Sequence, residues 1–389
     1  MSNLPSILIV GAGLGGLTAA IALRQRGFAV TVHEQAPQLG EVGAGLTLSR
    51  GAQRVYADLG LTEAILPHAS ITRNMAFLHY RTGALLFGSA DHSDGAMTGD
   101  APGGIHIHRA DLHAVLAAAF SKLAPGRIFL NHRLIGINEI GDAVRATFAD
   151  GSEAQATMVI GADGLRSAVR TLLWGEAVPR FTGQVAYRCL VPRDQAAPFM
   201  GAGRAAVYFG PGRVFNRYTL RRGEAVNCAA IGRTTRWEGE GWSTRAAPEE
   251  VAALYDDWHP DVLGLMHAAP RDTLIKWGLF DQAPLPQWRQ GRVTLLGDAA
   301  HPMLPFLGLG AAMAIEDAML LARALEADPT AAGLDRYEAS RRPRTSQVAE
   351  LSRLQGELVQ ARDPDAYDPA TAPAHDPSFY DFDPLSAPI

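Results

Sequence analysis

The clearest pattern of apolar and polar positions lies near the start of the chain. The continuous apolar run 7–10 is typical of a strand buried on both faces of a parallel sheet. Apolar residues then recur at helical spacing over 17–23, and Gly27 stands where a helix C-cap is expected. The stretch 29–33 predicts a second strand. Together these segments predict a βαβ unit and therefore an α/β fold that begins doubly wound.

The middle of the chain predicts a second sheet. Between about 69 and 104, short segments broken by Gly, Asp and Pro indicate an antiparallel excursion, and 109–123 then has helical periodicity. Asp150 and Gly151 are a hairpin signal between two short alternating stretches. Strand-like segments follow at 185–191, 205–209, 215–220 and 225–231. We interpret them as a separate mixed or antiparallel sheet.

The last third of the chain returns to an α/β pattern. A helix with an acidic first turn is predicted from 248 to about 258. The strand 293–296 leads to a second glycine-rich turn and a helix over 311–325. The tail 361–389 is acidic and rich in proline, which argues against a helix there. Its aromatic residues, Phe379 among them, favour a tail that is partly docked on the protein.

Composition and charge exclude several classes of protein. The 389 residues are 47% hydrophobic and 19% charged, unlike a disordered or collagen-like chain. The net charge of -5 comes with no polybasic run, so nucleic acid is not an expected partner. No apolar stretch approaches the roughly 20 residues that span a bilayer, and Met1 leads into a strand without a basic segment. We expect a soluble, cytoplasmic protein that does not contact membranes.

Cysteine and histidine positions give no support for a metal site. Cys189 and Cys228 are too few for a disulfide framework, so we expect two core residues in a reducing compartment. His106 and His108 alternate as in a strand, but no neighbouring carboxylate or cysteine completes a ligand set. We therefore expect no metal ion.

The turn after the first predicted strand is rich in glycine: Gly11, Gly13, Gly15 and Gly16 lie in the sequence GAGLGG. Between a strand and a helix, this spacing predicts dinucleotide binding, because glycine permits the tight turn, the close approach of a pyrophosphate and close helix packing. Glu34 ends the second strand, where it can accept hydrogen bonds from ribose hydroxyls. The motif predicts binding of an ADP moiety and leaves NAD and FAD open.

A second glycine-rich turn, GDAAHP at 297–302, lies far downstream and precedes LGLGA at 307–311. It resembles the GDAAH-P segment of the single-component FAD-dependent aromatic hydroxylases, the para-hydroxybenzoate hydroxylase family. The chain resembles in particular the salicylate hydroxylase and 6-hydroxynicotinate monooxygenase branch of that family. The resemblance implies that Asp298 binds the ribityl chain of FAD. It also implies that the backbone amides of Gly310 and Ala311 hold the pyrimidine edge of the flavin.

The resemblance extends over nearly the whole chain. The segment VIGADGLRS at 159–167 resembles the family's central DG segment, which implies a contact of Asp163 with FAD and the nicotinamide coenzyme. Arg109 matches the arginine that reaches the FAD phosphates, and Leu134 matches a backbone contact to adenine. The residues 378–383 resemble a short aromatic patch of the salicylate hydroxylase branch. We add to the predicted FAD contacts Gln35 and Ala44.

The resemblance implies a GR2-type, Rossmann-like FAD-binding domain and a sheet domain that binds substrate. The predicted division is 1–75, 100–180 and 271–360 for FAD, 76–99 and 181–270 for substrate, and 361–389 for the tail. The implied reaction is hydroxylation of a phenol, hydroxybenzoate or hydroxylated N-heterocycle by O2 through a flavin C4a-hydroperoxide. FAD is tightly bound, and NADH or NADPH is the transient electron donor. Carbon dioxide would be lost where a carboxylate occupies the attacked position.

Substrate contacts are predicted on the second sheet and on the flavin turn. Tyr218 matches a tyrosine that lies at the substrate and can hydrogen-bond a phenolic oxygen, although a plain cross-strand aromatic pair is the alternative. Arg188 and Arg217 offer guanidinium groups to a substrate carboxylate. Thr47 replaces a histidine of the 6-hydroxynicotinate branch. Pro305 lies in an apolar turn that suits a wall beside the flavin, and with Tyr218 it is our catalytic candidate.

Other functions stay open on the sequence. An NAD-dependent dehydrogenase has no need for the second glycine turn, and the Trp-x-Trp segment of flavin halogenases is absent. A non-oxygenating FAD oxidoreductase or binding flavoprotein is the main alternative. His301 suggests a general base, but we expect it to shape its loop instead. The coenzyme is expected to dock transiently near the DG segment, on a monomer or a homodimer.

Overall fold

The computed structural model describes residues 4–40, 44–89, 104–176, 179–234, 237, 244–373 and 377–389. The strands are β1 (Ser6–Val10), β2 (Ala29–His33), β3 (Gly45–Leu48), β4 (Ala69–Thr72), β5 (Ala76–His79), β6 (Leu85–Gly88), β7 (Gly104–His108), β8 (Ile128–Phe129), β9 (Leu134–Ile140), β10 (Ala143–Phe148), β11 (Glu153–Ala156), β12 (Met158–Gly161), β13 (Arg180–Pro192), β14 (Ala205–Gly210), β15 (Arg213–Leu220), β16 (Ala225–Arg233), β17 (Thr244–Arg245), β18 (Ile275–Asp281), β19 (Arg289–Gln290) and β20 (Val293–Leu295). The helices are α1 (Leu14–Gln25), α2 (Arg50–Asp58), α3 (Thr62–Ile65), α4 (Arg109–Leu123), α5 (Ala168–Trp174), α6 (Arg193–Ala196), α7 (Pro248–Leu254), α8 (Pro260–His267), α9 (Gly310–Ala327), α10 (Ala331–Val359) and α11 (Pro377–Tyr380).

A six-stranded sheet forms the core of the first part, in the order β19-β20-β12-β1-β2-β8. All its strands run parallel except β19. The central strand β1 is buried, as the apolar run predicts for a parallel sheet covered by helices. Helix α1 follows β1 and packs against α4 and α9. The predicted βαβ unit is confirmed by the parallel pairing of β1 with β2.

The second part is an eight-stranded sheet in the order β17-β18-β13-β16-β15-β14-β5-β6. Its neighbours pair antiparallel except β14 and β5, which run parallel. The four predicted strand segments correspond to β13 through β16. Because side chains alternate along a strand, the sheet has two distinct faces. One face packs on α7 and α8, where Tyr255 and Trp258 are buried, and the other face lines a cleft. The predicted α/β class with a mixed second sheet is confirmed.

The boundary between the two parts differs from the prediction at one place. The division assigns 271–360 to the FAD-binding part, but β18 pairs with β13 and so belongs to the eight-stranded sheet. Which sheet a strand joins depends on a neighbour distant in sequence, and local pattern carries no information about that neighbour. Of the excursion predicted for 76–99, the residues 90–99 lie outside the described part of the chain.

Two smaller sheets complete the fold. The sheet β11-β10-β9 contains a hairpin at the predicted Asp150 and Gly151 turn. The sheet β3-β7-β4 contacts α9 through β3 and β15 through β7, and so joins the two main parts. Its central strand β7 carries His106 into the middle of the molecule, where this side chain is 1% exposed.

The C-terminal tail packs against the helical layer. Arg50 donates to the Asp381 carboxylate at 2.8 Å, and Phe379 is buried. The guanidinium carbon of Arg344 lies 4.0 Å from the centroid of the Phe382 ring, within cation–π range. These contacts hold residues 377–389 against α2 and α10.

The two cysteines lie in the core of the eight-stranded sheet. Cys189 and Cys228 are free, buried and directly opposite each other on β13 and β16. Within the described ranges, no helix is long and apolar enough to cross a membrane.

Candidate active site

A long cleft of about 610 Å³ runs between the two main sheets. One half is built by chain turns of the six-stranded sheet, and the other by the open face of the eight-stranded sheet. The predicted residues that line it are Gly11, Gly13, Gly15, Glu34, Gln35, Ala44, Thr47, Arg109, Leu134, Asp163, Arg188, Tyr218, Asp298, Pro305, Gly310 and Ala311. The predicted residues that do not line it are Gly16 and Arg217.

The glycine turn brings uncapped backbone amides to the cleft. Gly11 has φ of 103°, which favours glycine, and a Cβ there would come within 2.4 Å of the Ala162 carbonyl oxygen. A Cβ at Gly16 would lie 2.1 Å from the Gly11 carbonyl oxygen, so this glycine lets α1 begin directly against the turn. Gly13 caps α1 without a side-chain hydrogen bond. The first amides of α1 therefore keep their hydrogen-bonding capacity for an anionic group.

Glu34 braces the same turn. One carboxylate oxygen accepts from the Ala12 amide at 2.8 Å, and the other accepts from the Ala36 amide at 2.9 Å. A carboxylate has further lone pairs beyond these two bonds, so the side chain can still accept from a ribose hydroxyl. Glu34 thus fixes the turn and lines the cleft at one position.

Asp163 holds the DG segment in place. Its carboxylate accepts from the Ser167 hydroxyl at 2.5 Å and from the Val169 amide at 3.1 Å, at the start of α5. Burial raises the pKa of Asp163, while these hydrogen bonds lower it. The side chain is therefore occupied in shaping its own loop, and the loop presents its backbone to the cleft.

Arg170 ties the DG segment to the GDAAH turn, a link that sequence reasoning missed. Its guanidinium donates to the Leu165 carbonyl and, at 2.9 Å, to the Ala299 carbonyl. The side chain is buried, and the pattern of a helix face gives no sign of this role. One arginine therefore positions two loops that meet at the middle of the cleft.

His301 shapes the GDAAH turn through Asp317, in line with the structural role expected for it. His301 Nε2 lies 2.5 Å from an Asp317 carboxylate oxygen, which also accepts from the Gly297 amide at 3.0 Å. Arg341 Nε donates to the other oxygen at 2.6 Å. Burial alone would raise the pKa of Asp317, but His301 and Arg341 outweigh it and lower the pKa to about 2. The turn that carries Asp298 is thus anchored on a buried carboxylate.

Helix α9 begins at the cleft with free amides. Leu309 precedes the helix and gives no side-chain cap, and the first turn has no acidic residue. Gly310 and Ala311 therefore present N–H groups at a partly positive helix end. Next to them lies the apolar wall formed by Met303, Leu304 and Pro305.

In the opposite half of the cleft, an arginine side chain packs on an aromatic ring. Arg188 projects from β13, and its guanidinium carbon lies 4.4 Å from the centroid of the Trp277 ring on β18. Within the described ranges, no carboxylate pairs with this guanidinium, and its Nε has no hydrogen-bond partner. Burial lowers the pKa of Arg188, and Arg109 adds to that effect. A half-buried cation without a counterion favours an anionic ligand.

Tyr218 lies on β15, on the same face of the eight-stranded sheet as Arg188. Burial raises the pKa of its phenol to about 12, although the Arg188 charge opposes this. The hydroxyl is therefore a neutral donor. Tyr218 also packs closely on Gly45, whose amide donates to Asn227 Oδ1 at 2.8 Å. Sequence reasoning missed both Trp277 and Asn227 because neither lies in a motif.

Arg217 does not face the cleft, so its predicted role in substrate binding is wrong. Alternation along β15 turns Asn216 and Tyr218 toward the cleft and Arg217 to the other face. There its side chain is 0% exposed and donates to the Gly203 carbonyl at 2.6 Å. A side chain on the helix-covered face cannot reach a ligand on the open face.

The cleft fits an FAD molecule lying along it. The uncapped start of α1 and Glu34 suit the pyrophosphate and ribose of the ADP half. The uncapped start of α9 beside an apolar wall suits the polar edge and the rings of an isoalloxazine. At Gly11 a Cβ would strike the Ala162 backbone, so this glycine lets the turn after β1 pack directly on the DG segment.

Comparison with known proteins identifies the family. The profile of the family described as "FAD binding domain" matches residues 5–352. The chain belongs to this family. Flavin monooxygenases are among its relatives: it is 37% identical to the 3-amino-4-hydroxybenzoate 2-monooxygenase PtnB3 of Streptomyces platensis, over 90% of this chain and 88% of that protein.

Two further similarities narrow the class. The chain is 34% identical to the 6-hydroxynicotinate 3-monooxygenase of Bordetella bronchiseptica, over 90% of this chain and 91% of that protein. The solved substrate complex of a salicylate hydroxylase superposes with a TM-score of 0.82 at 26% identity, covering 99% of this chain and 97% of that one. The predicted family, cofactor and enzyme class are confirmed: the chain is an FAD-dependent aromatic monooxygenase that uses NAD(P)H and O2.

Proposed function

We propose that this monooxygenase hydroxylates a small aromatic acid that carries both a ring hydroxyl and a carboxylate. The carboxylate binds Arg188 and the ring hydroxyl lies at Tyr218 and Thr47, in the half of the cleft opposite the flavin turns. Both relatives named above act, by their names, on aromatic acids with a ring hydroxyl. Hydroxybenzoates and hydroxylated pyridine carboxylates are therefore the substrate class to test.

The observation that carries this proposal is the unpaired cation of Arg188. A half-buried guanidinium on the floor of the cleft costs free energy unless an anion compensates it, and the described residues provide none. The Trp277 ring beneath it holds the guanidinium plane and leaves its edge for a carboxylate. A phenol without a carboxylate would leave this charge uncompensated.

Tyr218 and the apolar wall orient the ring. Because burial keeps Tyr218 protonated, its hydroxyl donates to the ring oxygen of the substrate and stabilises negative charge there. FAD, when bound, supplies the redox chemistry that activates dioxygen. The wall at Met303, Leu304 and Pro305 excludes water from the space between that group and the substrate ring.

The coenzyme and the cellular setting follow from the same proposal. NADH or NADPH docks transiently at the groove beside the DG segment around Asp163, which lines the cleft. Where the substrate carboxylate is attached to the attacked carbon, hydroxylation releases it as carbon dioxide. The protein acts in the cytoplasm on a freely diffusing metabolite, as a monomer or a homodimer.

The test pairs each aromatic acid with the same phenol lacking the carboxylate. Stimulated NAD(P)H oxidation and the product mass are measured for each pair, and we expect a gain of one oxygen, with or without loss of carbon dioxide, for the acids only. In Arg188→Gln, kcat/KM for the acids should fall by about a hundredfold or more while FAD content stays unchanged, since the charge pair with the substrate carboxylate is lost. Arg180→Gln, an exposed position on the same strand, is the matched control.

Equal rates for acids and phenols, or an Arg188→Gln variant with unaltered discrimination, would remove the carboxylate from the proposal. A protein that holds FAD but oxidises no coenzyme with any aromatic would instead support the alternative of a non-oxygenating flavoprotein.

A further inference from the structure

A buried histidine stands directly behind the substrate half of the cleft. His106 lies on β7, the central strand of the small sheet, and is directly opposite Thr47 on β3 and Ser70 on β4. Directly opposite side chains on one face of a sheet are close enough to interact. The side chain is 1% exposed, so its hydrogen-bond partners are protein groups or a bound ligand.

Both ring nitrogens of His106 are bonded to threonine hydroxyls. Nδ1 lies 2.9 Å from Thr47 Oγ1, and Nε2 lies 2.6 Å from Thr72 Oγ1. The imidazole also stacks on the Tyr218 ring, with 4.4 Å between centroids and 21° between planes. Of these residues, Thr47 and Tyr218 line the cleft. His106 is thus one hydroxyl away from the place proposed for the substrate's ring oxygen.

The other described groups at this corner cannot take up a proton. Arg188 is a cation, and Asn216 and Asn227 are amides. Tyr218, the titratable side chain that stacks on His106, is held in its neutral form. The strands β3 and β4 on either side of His106 contribute hydroxyls, which relay protons without binding them at neutral pH.

We propose that His106 is a positioning residue that accepts the substrate's ring-hydroxyl proton through Thr47. The inference rests on the proposed function, because it assumes a phenolic oxygen at Thr47. The phenolic proton passes to Thr47 Oγ1 as the proton of that hydroxyl passes to His106 Nδ1. The substrate becomes a phenolate and His106 an imidazolium. When the hydroxylated ring regains aromaticity, the attacked carbon releases its hydrogen as a proton to water, the electron pair of that bond returns to the ring, and the proton on His106 returns by the same route to the ring oxygen.

The hydrogen bonds of His106 suit this role, although its burial opposes it. Burial lowers the pKa of the free imidazole to about 4, so the ring starts neutral and takes up a proton only together with the negative charge of a bound phenolate. A proton on Nε2 donates to Thr72, which leaves Nδ1 as the acceptor for Thr47. Phenolate in the cleft then compensates the new positive charge, with Arg188 on its other side. A phenolate ring is more nucleophilic than a phenol ring, which is what hydroxylation requires.

The test reads the ionisation of a bound phenol directly. A hydroxynitrobenzoate, whose phenolate absorbs visible light, is titrated with pH in the FAD-loaded holoenzyme. We expect its bound pKa to rise by about one unit or more in His106→Gln and in Thr47→Val, because both break the route to the acceptor. The value of kcat should fall about a hundredfold in each variant, with KM changed far less.

Glutamine is chosen because it keeps hydrogen bonding to both threonines but cannot bind a proton. FAD content and thermal unfolding of His106→Gln should therefore match the wild type, and so should those of the control His267→Gln, an exposed histidine on α8. If His106→Gln does not fold, Thr47→Val alone decides, since it leaves His106 in place.

If His106→Gln has the same bound pKa and the same kcat as the wild type, the proposal is overturned and His106 has only a packing role. An unchanged bound pKa in Thr47→Val would also overturn it. These results are separable from a failure of the proposed function, in which no aromatic acid stimulates coenzyme oxidation in the wild type.

Discussion

The two halves of the cleft are built by different means. The flavin half consists of turns: the glycine turn after β1, the DG segment after β12 and the GDAAH turn after β20 present mainly backbone groups. The substrate half consists of side chains on one face of a sheet, from strands far apart in sequence, such as Arg188 on β13 and Trp277 on β18. Backbone geometry therefore shapes the half assigned to the cofactor, and strand register decides which side chains face the half proposed for the substrate.

This difference explains why the flavin half is easier to predict from the sequence than the substrate half. The residues of a turn are contiguous, so a cluster of glycines indicates the turn directly. A sheet face is set by alternation and pairing, and a shift of one residue exchanges the two faces. Arg188 and Arg217 lie in the same sheet and look alike in the sequence, yet one faces the cleft and the other the helices.

The largest effect should come from breaking the flavin half at its backbone. In Gly16→Ala, the new Cβ would meet the Gly11 carbonyl oxygen, so α1 and the turn must separate. We expect FAD affinity to fall by about a hundredfold or more, because overpacking against backbone has no flexible side chain to relieve it. Flavin absorbance after dialysis measures the loss.

The control is Gly201→Ala, in an exposed turn with open space around the Cβ position. Full flavin retention in Gly16→Ala would mean that the close approach of α1 to its turn is not needed for binding.

A comparable effect, on stability instead of cofactor affinity, is expected from removing the anchor of the GDAAH turn. Asp317→Asn leaves Arg341 buried with less compensating charge and should lower the free energy of unfolding by about 3 kcal/mol at neutral pH. The folded-state pKa of about 2 lies below the usual value of 3.8, so the carboxylate stabilises the fold fully above about pH 4. This stabilisation is lost as the pH falls through about 2.

Urea unfolding of both proteins over this pH range measures the difference, which should shrink on the acid side. Asp335→Asn, which breaks an exposed pair with Arg289, should cost less than about 1 kcal/mol. A difference between wild type and Asp317→Asn that does not change with pH would contradict the assignment of a charged Asp317.

The smallest of these effects should come from loss of the Tyr218 hydroxyl in the substrate half. Tyr218→Phe is expected to lower the fraction of NAD(P)H oxidation coupled to product, and kcat by about tenfold, because one hydrogen bond to the ring oxygen is lost. Flavin content should not change. Tyr187→Phe, a tyrosine of the opposite face bonded to Glu250, is the matched control. Equal coupling in the two variants would place Tyr218 outside the site.

Much of the fold was predictable because residues close together in the sequence determine the individual strands, helices and turns. The apolar run of β1, the helical period of α4 and the Asp150 and Gly151 hairpin all appear where the pattern indicates. The assignment of β18 failed because its partner β13 lies about ninety residues earlier in the chain. The buried roles of Arg170 and His106 were hidden for the same reason, since their partners belong to other elements.

The sequence by itself determined a dinucleotide-binding turn, because glycine turns and helix starts act through their own backbone and need only their neighbours. Its resemblance to the aromatic hydroxylases added FAD and the class of chemistry. Tertiary structure alone decided which arginine meets the cleft, which aromatic ring supports it and which histidine stands behind Thr47. Those choices depend on strand pairing and on alternation across a sheet, and long-range packing rather than local pattern fixes both.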